Sequence, residues 1–137
     1  MKNADLVSDY LQRCEVRLKA LDLYFKEASY AEVIRESQEL VELATKALLR
    51  GMNLSVPHIH DVGDIILENI KLLKGVSRDE VEEVTEISRK LRRDRELSFY
   101  GSEDLTPSAF YRKKDAIEAR AGANTVLQFC KNILVSK

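Results

Sequence analysis

The chain has 137 residues, 45% of them hydrophobic, with 23 Asp and Glu against 22 Lys and Arg for a formal net charge of −1. That length suits a single domain, residues 1–137, with a real core, and the balanced charge excludes a globally basic nucleic-acid binder. The apolar runs are too short to cross a bilayer and MKNADLVSDY carries no secretory apolar stretch, so the expected setting is the cytoplasm, away from membranes.

The apolar spacing is helical almost throughout. Helix one is expected from about Ala4 to Lys26, with Leu6, Tyr10, Cys14, Leu18, Leu21 and Phe25 recurring at threes and fours. Cys14 and Cys130 lack CxxC spacing and read as small buried apolar residues rather than a disulfide. In helix two Ser29 and Glu32 have capping-box spacing, and Val33, Ile34, Leu40, Val41, Ala44, Ala47 and Leu48 line a face. Gly51 is expected to end it as a left-handed residue.

After the Pro57 connector, helix three is expected from Asp61 to Lys74, with Ile65, Ile66, Ile70 and Leu73 inward and Gly75 as its stop. Ser77 and Glu80 form a second capping-box pattern. Helix four follows, with Val81, Val84, Ile87, Leu91 and Leu97 on its stripe and an end near Gly101. Pro107 suits a first helical turn, and helix five is expected from near Ser108 to Val135. Its apolar face is Ala116, Ala119, Ala123, Val126, Leu127, Cys130, Ile133 and Leu134. Ala119, Gly122 and Ala123 are small enough to let another helix approach closely. The expected fold is all-α: an antiparallel up-down bundle of four long helices plus a short fifth, joined by short connections.

Four groups of residues are candidates for chemistry beyond packing. His58, His60 and Asp61 make an HxHD loop; a metal site and a helix cap at Asp61 both fit, and with no second ligand cluster the cap is the preferred reading, so no metal is expected. His60 is left to pack or to contact a partner. The run Arg89, Lys90, Arg92, Arg93 and Arg95 stands beside Phe99 and Tyr100. Cations next to aromatics suit phosphate contact and base stacking. The helix that opens with Asp79, Glu80, Glu82 and Glu83 and closes in this run also has the charge order its macrodipole favours. Arg112, Lys113 and Lys114 sit poorly at a helix N-terminus, which points to an acidic partner or, as the preferred reading, to a helix beginning nearer Asp115. Glu39 and Glu42 share a face of helix two, as amphipathic helices often arrange. Glycine-rich phosphate loops, GxSxG and HExxH are all missing, and no cofactor is expected.

Three stretches resemble the HEPN domain family, in its branch of small, stand-alone prokaryotic and often archaeal proteins. They are YAEVIRESQELVELATKALLRGMNLSVP (30–57), His60-Asp61-Val62, and LRRDRELSFYGSED with FYRKKDAIEARAGANTVLQF (91–129). The resemblance implies a helical bundle that forms homodimers. It also implies a minimal nucleotidyltransferase as partner in a toxin–antitoxin-like pair. Some relatives are metal-independent endoribonucleases that use an arginine followed, with four to six residues between, by a histidine. Here Arg50 precedes His58 by seven intervening residues and His60 by nine, so that motif is not met. Arg92, Arg95 and Tyr100 match the family's arginine-rich, Phe-Tyr-Gly region. With Arg93 and His60 they are the expected contacts to nucleotide, RNA or partner protein. The alternatives are a ribonuclease with a rearranged site built from His60 and Arg50 or Arg92, and a structural adaptor without a ligand.

Overall fold

The computed structural model describes residues 2–55, 62–101 and 106–135, apart from the side chains of 2 and 96–100. Its helices are α1 (Lys2–Lys26), α2 (Tyr30–Gly51), α3 (Val62–Glu68), α4 (Arg78–Tyr100), α5 (Pro107–Phe110) and α6 (Lys113–Val135), with a 3₁₀ turn at Ile70–Leu72. Among the described residues there is no strand, and no helix is long and apolar enough to cross a membrane.

α2 is the centre of the packing and touches α1, α4 and α6. Thirteen of its 22 residues are buried, so the expected one-sided stripe wraps most of the helix and takes in Glu36, Ser37, Gln38 and Thr45. Cross-pairs fix the helix directions. Asn3 Nδ2 donates to the Arg50 carbonyl at 2.6 Å and Arg17 pairs with Glu36, so α1 runs against α2. Lys131 pairs with Glu15 at 2.6 Å and Arg120 with Asp22 at 3.2 Å, so α6 also runs against α1. Lys90 pairs with Glu118, and a Cβ on Gly122 would stand 3.0 Å from Ile87, so α4 lies close along α6. Gly122 does give the close approach its size suggests.

Several ends differ from the sequence reading, each for a local reason. Ser29 makes no side-chain cap. It also closes α1: its N–H reaches the Tyr24 carbonyl at 2.9 Å while Ala28 N–H reaches Phe25 at 3.0 Å, with Ala28 at φ 56. This is the Schellman arrangement. It leaves Ser29 at φ −88, ψ 70, outside the extended conformation from which an N-cap hydroxyl reaches the next turn. At the other end of α2 the left-handed residue is Asn53 (φ 59), not Gly51. Leu54 N–H to Leu49 O at 2.8 Å and Asn53 N–H to Arg50 O at 3.0 Å close the helix there. Gly51 is helical, and its smallness serves packing, because a Cβ would fall 2.2 Å from Leu134 Cδ2.

Helix three stops at Glu68, where Asn69 Nδ2 donates back to the Ile65 carbonyl at 2.8 Å and the chain tightens into the 3₁₀ turn. Ile66 and Leu73 are buried, with Ile65 and Ile70 partly so. The expected last helix is two: α5, capped by Thr106 with Pro107 at its start, and α6. Extended backbone at Tyr111 separates them. α6 begins at Lys113, with Asp115 accepting the Arg112 N–H at 2.9 Å, so the basic residues flank a helix started by that acid. Ser77 and Glu80 form the reciprocal capping box, each backbone N–H meeting the other's side chain at 3.1 Å. α4 ends at Tyr100, and Gly101 follows at φ 80.

Candidate functional site

The acidic first turn of α4 and its basic second half place opposite charges where the helix dipole favours them. Helical spacing then sorts the arginines. Arg89, Arg92 and Arg93 stand at i, i+3 and i+4 and line one open depression on the α4 surface with Glu86. Arg89 is tied to α3 through Asp64 at 3.5 Å. Arg92 and Arg93 are exposed.

Arg95 is directed elsewhere. Its guanidinium reaches α2, 3.5 Å from Glu39 Oε1 and 3.6 Å from Glu42 Oε1. Glu42 also accepts from Gln38 Nε2 at 2.7 Å, and Gln38 is 2% exposed. A guanidinium held by two carboxylates presents little net positive potential to a phosphate. Arg95 therefore turns toward α2 while Arg92 and Arg93 line the depression on α4, and the structure does not gather the three into one cluster.

Arg50 lies in the last turn of α2, half-buried, and its Nε has no hydrogen-bond partner among the described residues. Tyr100 is the last residue of α4, but its ring falls outside the described side chains. The HxHD loop, with His58, His60 and Asp61, lies outside the described residues altogether. Cys14 and Cys130 are fully buried and free. Burial pushes the Cys14 thiol up to about 11 and moves the Cys130 thiol upward as well, so neither offers a thiolate nucleophile near neutral pH.

A model of the HEPN domain matches residues 7–133. The chain belongs to the HEPN domain family. Such domains are often nucleases or toxin–antitoxin components, and they commonly dimerise. No curated protein matches the chain.

This HEPN domain has a second polar locality that periodicity alone does not show. Tyr111, in the link between α5 and α6, is buried, and its hydroxyl donates to the Asp94 carbonyl at 3.3 Å. Phe110 packs edge-on against Tyr111, ring centroids 4.9 Å apart. Burial is the main cause that pushes the Asp94 carboxyl up; Lys90 and Arg93 pull against it, while Asp115 and Glu118 add to it. Burial, then the negative charge of Asp94, also moves the Tyr111 hydroxyl upward. The available signal was the Phe110–Tyr111 pair just after Pro107. A helix drawn straight through these residues hid it.

Proposed function

We propose that this HEPN domain is a binding and interaction module rather than a ribonuclease. It forms a homodimer and pairs with a minimal nucleotidyltransferase in a toxin–antitoxin-like system. On the α4 face it engages the phosphates of nucleotide or RNA. The chain acts as one domain, residues 1–137, in the cytoplasm, and its four long helices, α1, α2, α4 and α6, form an antiparallel up-down bundle with α3 as the short fifth. Family membership and the cross-pairs between helices support this reading. The observation that carries the binding part is the grouping of Arg89, Arg92 and Arg93 around one open depression of α4. Arginine forks suit phosphate oxygens. Arg95, held by Glu39 and Glu42, acts here as a strut that fixes α4 against α2. Tyr100 and His60 complete the contact surface in this reading.

Co-purification with the product of the adjacent reading frame tests the partnership; a monomer indifferent to that product, to nucleotides and to RNA overturns it. For the α4 face, RNA titration at several salt concentrations is the measurement. Replacing Arg92 and Arg93 together by Ala should weaken binding uniformly across sequences and lower the salt slope by about one for each phosphate no longer neutralised. Unchanged binding and slope would remove α4 as the surface.

A further inference from the structure

A half-enclosed cavity of about 170 Å³ lies between α4, α6 and the α5 turn, with Ile34 of α2 at its floor. Ile87, Leu91, Phe110 and Ala119 add apolar wall. Its charged lining residues are Asp94, Asp115, Glu118 and Lys90, three carboxylates and one ammonium. Lys90 and Glu118 pair with each other, so the surplus negative charge of the lining is that of Asp94 and Asp115. Asp94 feels the cations Lys90 and Arg93 first and then Asp115 and Glu118, so all four charges lie within electrostatic reach of it.

Size and charge together narrow the occupant. An apolar cavity of roughly 150 Å³ holds a ring the size of benzene, whereas pockets for drug-sized ligands run to about 300–1,000 Å³. A nucleotide is too large for this space and carries the wrong charge for its rim. The fitting chemistry is an apolar body of ring size that bears one positive charge. Its body would cover the aliphatic wall while its cation met the carboxylates at the mouth.

We infer that this cavity is a binding site for a small organic cation, a protonated amine on an apolar body, separate from the arginine face of α4. The site draws on surfaces of α5 and α6 that the phosphate-binding reading leaves unused, so the two stand or fall independently.

The test titrates the full chain with benzylammonium, benzyl alcohol and benzoate and follows backbone amide shifts at Ala119 and Gly122. Benzylammonium should saturate these shifts, and benzoate should bind about tenfold more weakly or not at all, as one charge reversal beside carboxylates demands. Asp94→Asn with Glu118→Gln should weaken benzylammonium by about tenfold on the same ground. Ala119→Leu, which fills the cavity, should abolish the shifts while circular dichroism shows the helices retained. A parallel titration with N-acetyl-lysine methylamide separates the sources. Saturation by it too would mark a peptide's lysine as the natural occupant, and saturation by benzylammonium alone a free amine. Equal binding of benzoate, no saturation by either amine, or saturation that survives Ala119→Leu would overturn the site.

Discussion

α2 and α4 are nearly equal in length, 22 and 23 residues, yet they do opposite work. α2 is enclosed by three helices, so even its polar Glu36, Ser37, Gln38 and Thr45 are buried. Among the described side chains of α4 only Val81, Val84, Thr85 and Leu91 are buried, and its charges line the surface. A helix surrounded on all sides is constrained by packing at nearly every position. A helix packed along one stripe keeps the rest of its circumference for recognition. The contrast predicts where substitutions unfold the protein and where they change only what it binds.

The largest effect should come from α2. Leu48 is fully buried, and Leu48→Ala should cost about 3–5 kcal/mol in urea unfolding. A cost below that of an exposed leucine would refute the central place of α2. The next test addresses how α4 is held. A Cβ on Gly63 of α3 would stand 1.9 Å from Thr85 Oγ1 and 2.6 Å from its Cβ, and the Thr85 hydroxyl already donates to the Val81 carbonyl at 2.7 Å. Gly63→Ala should therefore cost about 1–3 kcal/mol through forced displacement. A neutral result would mean that α3 does not fix α4.

The entry to α2 offers a gain instead. Ala28 bears the left-handed strain of the turn at φ 56, so Ala28→Gly should raise stability by about 0.5–1 kcal/mol in thermal or urea unfolding. On α4, Asp94 gives a smaller effect that depends on pH. Burial raises its carboxyl above the ordinary 3.8, so the folded state keeps the proton to higher pH than the unfolded chain does. Stability from this group is lost as pH rises through that interval. Asp94→Asn should match the parent below pH 3.8, then become more stable as pH rises, levelling off above the raised pKa. Unfolding midpoints across pH check the sign. Smallest of all, Arg92→Ala and Arg93→Ala should each shift stability by less than about 0.5 kcal/mol, because both side chains are exposed. A large loss there would make the α4 face structural and blur the contrast with α2.

Much of the frame was legible in the chain. The stripes of α1, α2 and α6, the Ser77–Glu80 cap, the end of α4 before Gly101, and the two buried cysteines all follow from spacing and local chemistry. The ends that misread are those where one residue serves two elements. Ser29 closes α1 and opens α2 together, and Gly51 is small for the sake of Leu134, more than eighty positions away. In the basic run, spacing placed Arg92, Arg93 and Arg95 together, whereas the structure turns Arg95 toward Glu39 and Glu42.

The sequence by itself determined an all-helical HEPN chain and the apolar stripes of α1, α2 and α6, because helical period and caps are set by residues within a few positions of one another. Only the tertiary structure decided which guanidinium meets Glu39 and Glu42 and which faces the open depression. It alone folded Tyr111 inward beside Asp94 to shape a cavity. Such pairings depend on the rotation and offset of helices distant in the chain, which local propensity does not encode.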